Sequence, residues 1–584
     1  MEENELDELR HSAAHLLAAA VKQLWPNAKP TLGPPIAEGF YYDFGDLKIS
    51  EEDLPKIEKE MAEILPSWKE FKRIEVSPDE SRKEFKDNPY KLEMIEELVN
   101  DKQKISIYQS GDFRDLCRGG HSESPAKDLA NFKLLSIAGA YWRGDEKNPM
   151  LTRIYGTVFP TKEELDKYLA QRELAKERDH RKLGRELELF TTSEAVGPGL
   201  ILWLPKGNII KEELENWAKE TEAAGGYQRV TTPHITKAGL YETSGHLPYY
   251  KDDMYPPMKL ADGEEYYLKP MNCPHHHQIY ASKSRSYREL PLRLAEYGTC
   301  YRYEAGGELF GLLRVRGFSQ NDAHIYCTLE QATEEFVQVM KLHEHYYRGL
   351  GITDYYLEMG LRDPKKKDKY HGDEKMWKLA EELMRKAVVQ LKIKMIEKTG
   401  SAAFYGPKID FIIRSSTGRE FGISTNQIDL YMGERFGLKY ADKDGKEKTP
   451  VIIHRAPLGS HERFIGFLIE HFGGEFPVWL SPVQAVVIPI SEKFGEYAEK
   501  VREDLKKAGL RVEVDGRDEK MQAKIRDAQL QKVPYMLVVG EREEKADSAS
   551  VRLRSGQDLG EKKVGEIANT VKEVAASRII DLWP

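Results

Sequence analysis

Apolar positions between residues 6 and 25 recur at helical spacing and end at Pro26, so the chain opens on an amphipathic helix. Strand-like runs follow, such as GFYYDF at 39–44 and RIYGTVF at 153–159, with a charged helical stretch at 51–64 between them. Residues 161–191 are dense in Glu, Lys and Arg with helical periodicity and read as an exposed helix joining two domains. The block 192–478 is rich in short strands and aromatics, and the prolines of FPVWLSPV at 476–483 mark its end. Beyond it, strand runs (VQAVVIPI, LRVEVD, PYMLVVG) alternate with helical ones at 492–508 and 519–531. That alternation predicts a small α/β domain with a largely parallel sheet. A chain of 584 residues exceeds one core, and the pattern gives an α+β multidomain protein: 1–176, a linker helix at 177–191, 192–478 and 479–584.

Within the central block, residues 297–327 form two strand-like runs around AGGELFG, a hairpin with a glycine-rich tip. Arg314, Arg316, Phe318, Gln320, Asp322 and His324 fall at every second position, so an extended run points all six from one face. Such a set cannot share a dry core face without partners. A solvated face is the alternative, but Val315, Gly317 and Ala323 between them suit close packing, and Phe318 would be misplaced in water. A polar ligand face fits better. Arg302 and Glu304 on the first run share a face in the same way, and a guanidinium beside a carboxylate suits a ligand with a phosphate and an exocyclic amine. Phe318 is placed to stack on a purine.

Composition narrows the picture without naming a ligand. At 40% hydrophobic and 32% charged residues the chain is neither disordered nor fibrous. A net charge of −9 argues against a dedicated nucleic-acid binder, yet leaves room for RNA on a local basic surface. Only four cysteines (Cys117, Cys273, Cys300 and Cys327) point to a reducing compartment without a disulfide framework. There is no basic signal segment and no apolar run near the ~20 residues that span a bilayer. A cytoplasmic protein with no membrane attachment is therefore expected.

With Arg302-x-Glu304 ahead of its loop, the hairpin resembles motif 2 of class II aminoacyl-tRNA synthetases. GNIIKEELENWAKETEAAGGYQRVTTPHI, with Pro233, resembles motif 1, the dimer element, and APLGSHERFIGFLIEHF resembles motif 3, where Arg463 opens an amphipathic helix. The resemblance implies a class II antiparallel sheet flanked by helices and a homodimer through this domain. It also implies ATP with Mg2+ held by Arg302, Glu304, Arg314, Phe318 and Arg463, of which Arg302, Glu304 and Arg463 form the catalytic set.

MNCPHHH at 271–277, NDAHIYC at 321–327 and VIIHRAPLGSHERF at 451–464 bring the resemblance closer, to threonyl-tRNA synthetases. It implies one zinc ion (Zn2+) on Cys273, His324 and His454, and L-threonine contacted by Gln320, Asp322, Tyr405, Lys408 and Gln427. Spacing alone does not single these out, since no C-x-x-C is present. Three protein ligands leave zinc an open position for the threonine amine and hydroxyl. Valine has no such oxygen, and a site built on hydroxyl ligation can reject it by ~10⁴ or more. Two departures stand out. His275 replaces the family's usual glycine, making His275 or His276 a rival ligand, and EFGISTNQ at 420–427 is longer than the family form, which bears on where Gln427 falls.

Serine keeps the hydroxyl and lacks one methyl, worth only ~1–3 kcal/mol, so a threonine enzyme needs a second site. His11 and His15 are spaced i, i+4 on one helix face, and Cys117 and His121 repeat the spacing across a glycine-containing turn. By spacing alone this is a four-ligand zinc site. The resemblance instead implies a threonyl editing domain that hydrolyses Ser-tRNA without a required metal, with Asp115 and Tyr42 accessory. Only ten residues precede His11, so the family's usual ubiquitin-like domain is not expected in this chain. Residues 479–584 resemble an α/β anticodon-binding domain, with Arg517, Lys524, Arg526, Arg552 and Arg554 as candidate contacts to tRNA(Thr). A stand-alone editing hydrolase would leave everything after 176 idle, and a non-catalytic relative would be expected to have lost part of the intact ATP and metal sets.

Overall fold

In the computed structural model, which describes residues 3–415 and 418–583, the opening helix spans Glu3–Leu24. Its buried face is built from Ala13, Ala14, Leu16, Leu17, Ala18 and Ala20. These side chains share one core with Phe40, Phe44 and Ile154 of an antiparallel sheet. Strands Gly39–Gly45 and Met150–Val158, foreseen in the hydrophobic pattern, pair there with Tyr42 opposite Ile154. A second sheet, Lys72–Val76, Ile105–Ser110 and Phe113–Leu116, leads into the Cys117–His121 turn. These elements belong to the first of two units, residues 1–173; the second is 174–584.

Where 161–191 reads as one exposed helix, the structure has two, Lys162–Glu177 and His180–Glu186. The second is no free linker. His180 is fully buried, with Nδ1 2.8 Å from Glu470 Oε1 and Nε2 accepting from Leu312 N at 3.1 Å. Leu183 and Leu187 join the core of the second unit. The many charges on the outer face hide these two inward leucines from a periodicity reading.

An eight-stranded sheet organises this unit. Its order is Gln228–Arg229, Leu292–Tyr301, Gly317–Cys327, Val451–Ala456, Glu420–Asp429, Lys408–Arg414, Tyr355–Leu361 and Met395–Thr399. Pairing is antiparallel except at the two edges, which matches the expected class II architecture. Helices Pro205–Ala224, Ala332–Gly349, Glu374–Leu391 and His461–Phe472 share one apolar core with it. A polar knot ties the first of these helices to the sheet. Glu222 and Arg455 are both fully buried and paired at 2.9 Å, while Asn321 Nδ2 and Arg229 donate to the same carboxylate at 2.8 and 2.9 Å.

The C-terminal sheet runs Val512–Val514, Ala485–Pro489, Tyr535–Val539, Ser548–Leu553, Asp558–Lys563. The first three strands are parallel, as the alternation predicted; the last two turn it mixed. The short segment between Leu553 and Asp558 is a hairpin turn with no room for a helical crossover, so antiparallel pairing is forced there. Among the described residues no helix is long and apolar enough to cross a membrane.

Removing one partner of a buried, hydrogen-bonded ion pair strands the other charge. Glu222→Gln should therefore lower the stability of this sheet-and-helix core by ~3–5 kcal/mol. Chemical denaturation followed by tryptophan fluorescence checks this; an unchanged midpoint contradicts it.

Candidate active site

Strand register assembles the site. Lys408 pairs with Gln427, Gln427 with His454 and His454 with His324, so four residues from four adjacent strands form one lateral row. Gln427 reaches it because of a bulge. Phe411 pairs with Ser424 but Ile412 pairs with Gly422, which leaves Ile423 unpaired. The bulge absorbs one extra residue of the 420–427 segment and restores register beyond it.

The polar alternation predicted for the second hairpin run holds from the start of the strand onward. Phe318, Gln320, Asp322 and His324 all line one cavity of about 620 Å³. Arg302, Glu304, Arg314, Arg463, Tyr405 and Lys408 line the same cavity, as do Gln427, Cys273 and His454. Arg316 is the exception. The strand begins only at Gly317, so Arg316 lies in the loop, where its Nε donates to Glu304 O at 2.9 Å and its guanidinium sits 4.9 Å over Tyr303.

At one end of the cavity Arg314 Nε is 2.9 Å from Glu304 Oε2, and Arg302 lies 5.1 Å over the Phe318 ring. Arg463 occupies the first turn of helix His461–Phe472, which Ser460 caps by accepting from Arg463 N at 3.2 Å. Its neighbour Glu462 turns inward and accepts from Ser319 N at 3.0 Å; burial pushes that carboxyl up to about 7. Guanidinium groups, one carboxylate and an aromatic face make this end suited to a nucleotide.

At the other end the donor atoms of Cys273, His324 and His454 lie within 4.8 Å of one another. A tetrahedral zinc ion holds its ligand atoms about 3.5 Å apart, so this set fits the ion after a small closure. Burial, with Asp322 nearby, pushes the Cys273 thiol above its ordinary range, and a cation is what would favour the thiolate there. His454 Nε2 is 3.1 Å from Asp429 Oδ2, an orienting contact the sequence did not reveal.

Neither His275 nor His276 belongs to this donor cluster. On helix Cys273–Ala281, positions 276 and 277 share the face of Cys273 while 275 points elsewhere. The His275 ring lies against Tyr241, and neither of its nitrogens has a hydrogen-bond partner among the described residues. His276 contacts His324 instead of joining the donor set. Asp322 accepts from Asn272 Nδ2 at 3.1 Å, and burial holds its carboxyl above the usual range. Asn272 reaches it across Gly298, where an added Cβ would fall 2.1 Å from the amide oxygen. Tyr405 donates to Gln427, and Lys408 pairs with Asp410 at 2.6 Å.

In the first unit, His11, His15, Cys117 and His121 come together with donor atoms within 4.8 Å. Cys117 Sγ is 3.4 Å from both His11 Nε2 and His121 Nε2, and His11 Nδ1 is 3.0 Å from Gly120 O. The turn is possible because Gly119 and Gly120 adopt positive φ. His15 Nδ1 is 3.2 Å from Asp115 Oδ2, which also accepts from the Tyr42 hydroxyl. The second Asp115 oxygen is 2.7 Å from Lys91 Nζ. Lys91 is buried, and nothing in its spacing could have marked it, since its partner is distant in sequence. Burial opposes the Cys117 thiolate, but hydrogen bonds from His11, His121 and His15 outweigh it and hold the thiol down to about 3. Burial likewise opposes a charged His15, and its bonds to Asp115 and Cys117 raise it to about 9.

Three family descriptions match this chain. They are the tRNA synthetase class II core domain (G, H, P, S and T) over 258–472, the anticodon binding domain over 484–574, and the threonyl and alanyl tRNA synthetase second additional domain over 105–155. A threonine–tRNA ligase of Thermus thermophilus is 53% identical over 567 residues, covering 94% of this chain and 86% of its own. The chain belongs to the threonine–tRNA ligase family. Among solved structures, the RNA binding domain of a Cryptosporidium parvum threonyl-tRNA synthetase is 37% identical with a TM-score of 0.65, covering 69% of this chain and 99% of its own. A putative threonyl-tRNA synthetase of Aeropyrum pernix is 28% identical with a TM-score of 0.62, covering 68% and 96%.

Membership in this family directs attention to the anticodon binding domain, where two expected RNA contacts turn inward. Lys524 is buried and its Nζ donates to Pro489 O at 3.4 Å. Arg554 donates to the carbonyls of Phe476 and Glu475 at 2.7 and 2.8 Å, fastening the segment that enters the domain. Arg517 is paired with Asp515 and Asp527, and Arg552 with Asp558, while Arg526 is exposed. Helical and strand periodicity give the side a residue occupies, but not these backbone partners.

The three other cysteines are buried with thiols pushed up, that of Cys300 to about 12. Iodoacetamide should therefore label Cys117 alone in the folded protein, at a rate that stays level from about pH 8 down to about pH 5. Mass spectrometry of the labelled chain checks it; a rate that rises about tenfold per pH unit through this range, as for an ordinary thiol, contradicts it.

Proposed function

We propose that this chain activates L-threonine with ATP, transfers it to tRNA(Thr), and hydrolyses serine misattached to the same tRNA. The observation that carries the reading is one cavity lined by guanidiniums, a carboxylate and an aromatic ring at one end and a Cys–His–His donor set at the other. Arg302 and Arg463 would neutralise the α-phosphate, with Mg2+ accompanying the ATP. Glu304 would accept from the adenine amine, while Arg314 steadies the outer phosphates and Phe318 stacks on the base. The threonine carboxylate then attacks the α-phosphorus and pyrophosphate leaves; fixed cations aimed at the developing charge lower the barrier. The tRNA ribose hydroxyl next attacks the adenylate carbonyl, losing its proton as the new ester forms, and the carbonyl–phosphate bond breaks to release AMP.

Cys273, His324 and His454 would hold zinc, which when bound supplies an open Lewis-acid position for the amine and hydroxyl of threonine. Asp322, beside it, would accept from that hydroxyl, and Gln320, Tyr405, Lys408 and Gln427 would complete the pocket. The zinc is proposed as one per chain. We also place the enzyme in the cytoplasm as a homodimer joined through the catalytic domain, consistent with its four unbridged cysteines.

Residues 1–176 would serve as the editing domain, 192–478 as the catalytic domain and 479–584 as the anticodon-binding domain. In the editing domain the cluster His11, His15, Cys117 and His121 would activate a water on the seryl ester. Asp115, Tyr42 and Lys91 would fix the His15 ring. A second reading, zinc on these four donors, is favoured by the 3.4 Å sulfur–nitrogen separations, which are those of a tetrahedral shell. Metal analysis separates the two: one zinc per chain for the first and two for the second.

Cys273→Ala should lose the catalytic-domain zinc and threonylation together. Activity retained by the zinc-free variant would remove the metal from the account. His11→Ala should charge tRNA(Thr) with threonine normally while Ser-tRNA(Thr) accumulates, and undiminished clearance of preformed Ser-tRNA(Thr) by that variant would end the editing assignment.

A further inference from the structure

His276 is one of the most enclosed polar side chains of the second unit, and the reaction just described gives it no task. It lies three residues beyond Cys273 on the same helix face, between the donor cluster and Glu296. Its Nδ1 is 2.8 Å from His324 Nδ1, with the two rings at 85°. Its Nε2 is 3.2 Å from Glu296 Oε1. Glu296 is itself fixed, accepting from Thr232 N at 3.0 Å and from Thr232 Oγ1 at 2.7 Å.

Two Nδ1 atoms facing each other at hydrogen-bond distance must divide the roles, one donating and one accepting. An ionised carboxylate can only accept, so the His276 proton sits on Nε2, where it is donated to Glu296. A neutral His276 then has a bare Nδ1, and that atom can only accept. With His276 in that neutral form, the proton between the rings belongs to His324 Nδ1, and the His324 lone pair is on Nε2. The chain Glu296–His276–His324 thus selects one tautomer and one ring orientation. His454 is set independently by Asp429, whose other oxygen accepts from Tyr431 N and Met432 N at 2.8 Å each.

Resting on the reading that Cys273, His324 and His454 hold zinc, we infer that His276 and Glu296 are positioning residues of that site. They act by forcing His324 to present Nε2 to the metal. Outer partners of this kind typically change metal affinity by ~10–100-fold when removed. The position of the acceptor is what matters. In asparagine the amide oxygen takes the place of Nδ1 and can still accept from His324, whereas glutamine carries its amide one atom further along, in the place of Nε2.

The test is zinc affinity of the full chain, measured by competition with a chromogenic chelator, together with the visible spectrum of the cobalt-substituted protein. His276→Asn should bind zinc within a few-fold of the unaltered protein, while His276→Gln and His276→Ala should bind ~10–100-fold more weakly with altered cobalt bands. Equal affinities for the Asn and Gln variants would overturn the inference. So would unaltered affinity and cobalt bands in the Ala variant, even if its thermal midpoint fell, because that is the mark of a merely structural residue. The Asn–Gln comparison decides the matter if the Ala variant does not fold. Cys273→Ala separates this inference from the reading beneath it: a zinc content undiminished from that of the unaltered protein sinks the metal site itself, whereas one zinc fewer there but tight binding by His276→Gln sinks only the positioning role.

Discussion

Register between neighbouring strands cannot be partly right, because a slip of one residue turns every side chain of that strand to the opposite face. The row Lys408, Gln427, His454 and His324 depends on three such pairings between strands far apart in sequence. The pairing of His324 with His454 brings two donor nitrogens near Cys273, and the pairing of Gln427 with His454 sets the pocket wall beside them. The Glu222–Arg455 knot anchors the same strands to helix Pro205–Ala224 from a fully buried position. Ile423, bulged out of register, lets an additional residue enter the sheet without disturbing the row.

Selecting threonine is two problems with different physical answers. Valine has the shape of threonine but no hydroxyl, so a site that must be coordinated or hydrogen-bonded by that oxygen rejects it strongly. Serine has the hydroxyl and lacks a methyl, a difference too small for one binding site to exploit. The first task suits the cavity beside Cys273, where Asp322 is held by Asn272 across Gly298. The second suits the separate cluster of His11, His15, Cys117 and His121, whose His15 is held by Asp115, itself paired with the buried Lys91.

Much of this was legible in the residues. The alternation Phe318, Gln320, Asp322, His324 predicted one shared polar face, and all four line a single cavity; the i, i+4 histidines predicted a shared helix face, and they meet Cys117 and His121. What escaped had no local signal. Lys91, Asp429, Glu296 and Asn272 are ordinary polar residues until long-range pairing brings them to a histidine or an aspartate. Lys524 and Arg554 carried the charge expected of RNA contacts, but their partners are backbone carbonyls that no spacing rule foretells. Arg316 belonged to the alternation only on the assumption that the strand began earlier than it does. His275 was suspect because it departs from a family pattern, and helix geometry turns it away from the cluster of Cys273, His324 and His454.

Amino-acid-dependent ATP–pyrophosphate exchange in the zinc-loaded enzyme tests the central claim most directly. Threonine should drive rapid exchange, serine should drive it more weakly, and valine should fall about 10⁴-fold or more below threonine in kcat/KM. Exchange with valine comparable to that with threonine, or none with threonine, would contradict the account.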